Sequence, residues 1–229
     1  AWVAGRAGLV GARFTSEQTV IRTLVAALAA TLIAPSTLAA CGGPDEACET
    51  ENGSYHISLP PGDGPYPVLM YLHGYGGAGG PLVRDGGTSK QANLRGYAFI
   101  APNAIHRPGG DRTAWAFHPD FSQHRDERAF FEEVLRDAAQ RFNVDATRAV
   151  LSGFSIGGSM TSYIACDHPE DFIAYAPISG SLWRPHPTSC TGPVRLFHTH
   201  GWRDKTVPLE GRIVRRTPTG DFAQGDVFQ

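Results

Sequence analysis

Sulfur is scarce in this 229-residue chain, which has 4 Cys and 2 Met. No Cys-x-x-Cys pair and no His/Cys cluster has metal-ligand spacing, so the sequence offers no metal site. Charge is also thin and balanced. Charged residues make up 18% of the chain, 20 basic against 22 acidic, with a formal net charge of −2. That leaves no basic field for nucleic acid or anionic lipid. No apolar run is long enough to cross a bilayer, so no transmembrane segment is expected. Internal repeats and low-complexity linkers are absent, which favours a single core. One further absence bears on chemistry: no histidine follows Asp204.

The first 40 residues read as dispensable. Arg22 precedes the short apolar run from Thr23 to Ala34, and small residues close the stretch at Leu38-Ala39-Ala40. A basic flank, a short apolar run and small residues describe a secretory signal peptide. Val20 is the expected true start, with upstream read-through before it. The expected domain is therefore 41–229, exported to the periplasm or the exterior. Leu38-Ala39-Ala40-Cys41 also fits a lipoprotein signal with Cys41 lipidated. The competing reading uses the four Cys of an exported chain as disulfides, with Cys41–Cys48 and Cys166–Cys190 preferred among three possible connectivities.

The most informative stretch runs from Arg148 to Cys166. Ala149-Val150-Leu151 is a short apolar run with the character of a buried strand. Gly153-Phe154-Ser155-Ile156-Gly157 follows, a G-x-S-x-G match, and Met160, Tyr163 and Ile164 then share one helix face. A serine on a sharp strand-to-helix turn exposes its Oγ, and small residues two before and two after let the backbones pass. The N–H of Ile156, at the helix N-terminus, becomes an oxyanion donor.

Around this stretch the pattern alternates. Gly53 to Leu59 reads as a half-exposed strand, Val68 to Leu72 as a central one, and Tyr97 to Ala101 as another. Asp126 caps a helix over Glu127 to Phe142. Phe172 to Ser179 and Val194 to His200 read as the later strands. Strands alternating with helices or long crossovers imply a mostly parallel sheet covered on both faces. His73-Gly74-Tyr75-Gly76-Gly77 leaves the central strand. Gly74, Gly76 and Gly79 also fit a dinucleotide fingerprint. That fingerprint requires a helix at the third Gly and an acid ending the next strand. Here Gly80-Pro81 argues against the helix, and the next strand ends in Pro102-Asn103, so no cofactor is expected. An oxyanion loop with the N–H of Tyr75 as donor fits better, with His73 beside it.

Two loops leave the carboxyl edge of the sheet, where open α/β sheets bind ligands. They nominate Trp115, Phe117, His118 and Trp183, with His73, as pocket candidates. Asp204 lies past the carboxyl end of the second strand after the nucleophile. That is where this class of fold carries its triad acid, in the order Ser, acid, His. No His after Asp204 can serve as base, and no apolar run after Pro208 is long enough for a closing strand. The chain therefore reads as lacking a C-terminal strand and helix.

Taken together, His73-Gly-Tyr-Gly-Gly, Gly-Phe-Ser155-Ile-Gly-Gly and His200-Gly-Trp-Arg-Asp204-Lys-Thr-Val-Pro resemble the secreted polyhydroxybutyrate depolymerase and feruloyl esterase family of α/β-hydrolases. The resemblance covers residue 41 onward. It implies an α/β-hydrolase fold and serine esterase chemistry without metal or cofactor, with Ser155 as nucleophile, Asp204 as triad acid, and Tyr75 and Ile156 as oxyanion donors. The implied partner is an ester: a hydroxyalkanoate polyester, a hydroxycinnamoyl or acetyl ester on plant polysaccharide, or a small ester. A binding protein on a hydrolase scaffold is the alternative from another class. Oligomeric state is left open.

Overall fold

The computed structural model describes residues 41–84, 86–107, 109–118, 124–218 and 220–228, and the expectations for residues 1–40 lie outside them. No helix among the described residues is long and apolar enough to cross a membrane. The main sheet contains β1 (Cys48–Glu49), β2 (Ser54–Ser58), β3 (Tyr66–Leu72), β4 (Ala98–Pro102), β7 (Val144–Phe154) and β8 (Ala174–Ile178), in the order β1-β2-β4-β3-β7-β8. β4, β3, β7 and β8 are parallel, whereas β1 and β2 form an antiparallel margin. This is a mixed, mostly parallel sheet of the α/β-hydrolase type.

Side-chain alternation on the central strands produces two cores. Val68, Met70 and Leu72 of β3, with Ala98 and Ile100 of β4, join a core filled by Phe130, Phe131, Val134 and Ala138 of α3 (Glu127–Phe142). Met160, Tyr163 and Ile164 of α4 (Ile156–Asp167) complete it, the face anticipated from their spacing. The intervening residues Leu69, Tyr71, Phe99 and Ala101 face the other way. They pack with Leu82 and Val83 of α1 (Gly79–Arg84) and Ala92 of α2 (Thr88–Asn93). A period of two in a strand places alternate residues on opposite faces, so apolar residues at every position require helices on both sides.

Three local expectations change. A helix does open at Gly79, because Pro81 falls in its first turn, where a missing N–H breaks no helical bond. The strand read at Ala149-Val150-Leu151 is longer: Asn143 ends α3 in the left-handed conformation, and β7 starts at Val144. After Pro208 the chain forms an antiparallel hairpin, β9 (Arg212–Thr217) and β10 (Gly220–Gln224), where no strand was expected. The hairpin is held by contacts elsewhere: Arg184 N–H donates to Ala223 O, Gly225 N–H donates to Leu182 O, and the Phe222 and Trp183 rings lie 4.5 Å apart.

The anticipated strand at 194–200 runs parallel to β8 with alternating backbone bonds. Phe197 N–H donates to Tyr175 O, Thr199 N–H to Pro177 O, and Ser179 N–H to Thr199 O. It pairs only through isolated bridges, Tyr175 with Leu196 and Ile178 with Thr199.

Both preferred disulfides form, Cys41–Cys48 and Cys166–Cys190. The Cys41 sulfur is thereby engaged, and a lipid thioether on the same atom would exclude this bond.

The loop between β4 and α3 starts with a short hairpin, β5 (Ile105–His106) with β6 (Thr113–Ala114). It is fastened by a buried ion pair. Arg125 Nη2 lies 2.7 Å from Glu127 Oε2, and both side chains are almost wholly enclosed. Glu127 Oε1 also accepts from Ala116 N–H at 2.8 Å, and the Arg125 guanidinium stacks over Phe130 and donates to Asn103 O. Removing one partner of a buried pair leaves the other charge uncompensated. Glu127→Ala should therefore cost about 3–5 kcal/mol in urea unfolding. Glu132→Ala, which breaks an exposed pair with Arg128, should cost about 0.5 kcal/mol or less.

Candidate active site

Ser155 sits between β7 and α4 with φ 57° and ψ −119°, a backbone conformation that non-glycine residues rarely adopt. Such strain persists only where the surroundings over-determine it. Here the Ser155 N–H donates to Ile178 O at 3.0 Å, and Ser159 N–H donates to Ser155 O at 2.9 Å. The flanking glycines are required by contact. A Cβ on Gly157 would lie 2.2 Å from Leu72 O and 2.7 Å from His73 O, and one on Gly153 would lie 2.4 Å from Gly157 O. Ile156 is the first helical residue, so its N–H has no partner within the helix.

The loop after β3 lies against this turn. The Cβ position of Gly74 is 3.6 Å from Ser155 Cβ, which brings the next residue, Tyr75, beside the Ser155 turn. The loop is fastened around Tyr75: Gly76 N–H donates to Thr113 O and Gly77 N–H to Gly74 O. The N–H of Tyr75 makes no hydrogen bond among the described residues. Two backbone donors, Tyr75 and Ile156, thus stand near Ser155.

His73 is a brace for this loop. Its Nδ1 donates to Gly74 O at 2.8 Å and its Nε2 accepts from Ala104 N–H at 3.1 Å. With one nitrogen donating and the other accepting, the ring is neutral, and burial holds its pKa down. Both nitrogens are occupied, so His73 is neither base nor pocket wall.

The other pocket candidates need the same correction. Trp115 is fully enclosed, donates its indole N–H to the carbonyl of His73 at 2.8 Å and packs on Phe131. Phe117, His118 and Trp183 are buried as well. The Phe117 and Trp183 rings are 5.6 Å apart, His118 lies 5.0 Å from Phe222, and Trp183 Nε1 donates to Ser159 Oγ. Large aromatic rings on a carboxyl-edge loop lose less by entering the core than by facing water. They support the site from beneath. The aromatic surface beside Ser155 comes instead from Tyr75 and Phe154, each 48% exposed, with Arg112 above the Tyr75 ring at 5.7 Å. Phe154 is the first of the two variable positions of G-x-S-x-G, and no sequence signal marked it or Arg112.

Asp204 occupies the loop after segment 194–200. Its Oδ1 accepts from Thr206 N–H at 2.8 Å and Val207 N–H at 2.9 Å. These bonds, led by Val207, hold its carboxyl below the usual range, with His200 contributing. Among the described residues no histidine hydrogen-bonds Ser155. His118 lies in the aromatic cluster, and the side chains of His198 and His200 bond to each other.

The elbow contacts carry a direct test. Gly157→Ala places a methyl group against two fixed carbonyls, so soluble yield and thermal midpoint should fall sharply. Gly43→Ala, with open space around its Cβ position, should leave both unchanged.

Comparison with known proteins agrees with this architecture. A family profile described as Phospholipase/Carboxylesterase matches residues 58–217. Feruloyl esterase C of Emericella nidulans is 26% identical over 170 residues, covering 69% of this chain and 57% of that protein. Feruloyl esterase D of Neurospora crassa is 25% identical over 173 residues, covering 70% of this chain and 57% of that protein. The chain spans about half the length of the curated relatives it matches. The solved structure of esterase PE8 superposes with a TM-score of 0.51 at 22% identity, covering 67% of this chain and 76% of that one. With a serine on a strained strand-to-helix turn and a profile match over most of its length, the chain belongs to the phospholipase/carboxylesterase family of α/β-hydrolases.

Proposed function

We propose that the protein is an exported serine hydrolase of carboxylic esters. The observation that carries this reading is Ser155 in a strained turn, with the N–H groups of Tyr75 and Ile156 beside it. In the first step Ser155 Oγ attacks the ester carbonyl carbon, and its proton passes through a general base to the departing alcohol. The tetrahedral oxyanion is held by the two N–H groups. In the second step water attacks the acyl-enzyme, and the acid leaves with Ser155 restored. Asp204 is the group that fixes the base's tautomer and stabilises its imidazolium. The base is the group that takes the Ser155 Oγ proton, and among the described residues no histidine hydrogen-bonds Ser155. Two disulfides and the apolar run at 23–34 support export.

The substrate class favoured by the relatives' names is a hydroxycinnamoyl ester, with acetyl esters on polysaccharide next. A polyhydroxybutyrate polyester follows from the motif resemblance. That no histidine among the described residues bonds to Ser155 favours one further reading, a binding protein on this scaffold. Hydrolysis of methyl ferulate, an acetylated xylan and a polyhydroxybutyrate suspension, each with a Ser155→Ala control, separates these readings. Ser155→Ala should abolish turnover of every ester without lowering stability.

Asp204→Asn should lower kcat by up to about 10⁴-fold with KM little changed, measured with p-nitrophenyl butyrate. A rate equal to the parent's would show that the acid is elsewhere.

A further inference from the structure

The segment beside β8 places His198 and His200 two residues apart in extended chain, so both rings fall on one side. Their ring centroids are 5.3 Å apart, and His198 Nε2 lies 3.2 Å from His200 Nδ1. His200 Nε2 lies 2.6 Å from Val207 O. A carbonyl only accepts, so His200 Nε2 carries the hydrogen. In neutral His200 the Nδ1 lone pair is then free to accept from His198 Nε2–H. The hydrogens run in one direction, from His198 to His200 to Val207 O.

Val207 is where this series meets the proposed acid. Its carbonyl is held by His200, and its N–H donates to Asp204 Oδ1 at 2.9 Å. Asp204 N–H donates back to Gly201 O at 3.0 Å, and Asp204 Oδ2 stands 3.8 Å from His200 Nε2. Four hydrogen bonds close the segment from 200 to 207: Thr206 and Val207 N–H to Asp204 Oδ1, Asp204 N–H to Gly201 O, and His200 to Val207 O, the one bond that ties the end of the extended segment to the peptide following Asp204.

We propose that His200, its tautomer set by His198, is the positioning residue for Asp204, acting through the Val207 peptide. The inference rests on reading Asp204 as the triad acid, and its test needs no turnover. In the parent chain, long-range ¹H–¹⁵N spectra should show His200 as the Nε2–H tautomer. In His200→Leu, amide exchange at Val207 and Thr206 should quicken about tenfold, the scale of one lost hydrogen bond. The Asp204 carboxyl, followed by ¹³C NMR, should then titrate nearer the ordinary carboxylate range. His200→Gln can return an N–H to Val207 O and should restore both readings. His198→Leu leaves that bond in place and should change exchange by less than about threefold.

Unchanged Val207 exchange and unchanged Asp204 titration in His200→Leu would overturn the proposal, as would an Nδ1–H tautomer in the parent. If His200→Leu does not fold, His200→Asn, whose shorter amide stops short of Val207 O, takes its place with the same expected and overturning readings. Failure of the acid assignment shows separately, as an Asp204→Asn esterase rate equal to the parent's.

Discussion

The close approach of Gly157 to the carbonyls of Leu72 and His73 is the constraint on which the rest of the site depends. No side chain fits between these backbones, so the start of α4 is pressed against the end of β3. That contact puts Ser155 at the top of the sheet and the loop carrying Tyr75 beside it. Ser155 and the backbone N–H groups of Tyr75 and Ile156, from segments about eighty residues apart, meet because the parallel pairing of β3 with β7 aligns Leu72 with Gly153. The strain at Ser155 is sustained by that pairing and by the bond to Ile178 O.

Support for the loop comes from groups that do no chemistry. His73 bridges Gly74 and Ala104, Trp115 fills the space behind its carbonyl, and the Arg125–Glu127 pair fixes the approach to α3. A buried polar group is costly unless paired, and each of these is paired. The site is thus backed by a polar and aromatic layer, while its outer surface is left to Tyr75, Phe154 and Arg112. The Asp204 loop is built differently. Asp204 is held by backbone N–H groups within one short loop, which favours its ionised form.

The sequence by itself determined the double-faced sheet, because apolar residues at every position of Val68–Leu72 demand cover on both sides. It also determined the elbow, since glycines two before and two after a serine allow a turn that other residues obstruct. The Asp126 cap and the stripe from Phe130 to Ala138 defined α3. Both disulfide pairings were preferred correctly, from export and spacing. Tertiary structure decided the rest. Whether an aromatic residue on a loop faces substrate or core depends on what packs against it, and periodicity carries no information there. Trp115, Phe117, His118 and Trp183 went inside, and Phe154 stayed out. The hairpin after Pro208 formed because partners at Leu182, Trp183 and Arg184 satisfy its backbone and Phe222, which no local apolar run signals. The linkage of His200 to Asp204 through Val207 likewise exists only once the 200–207 loop has closed on itself.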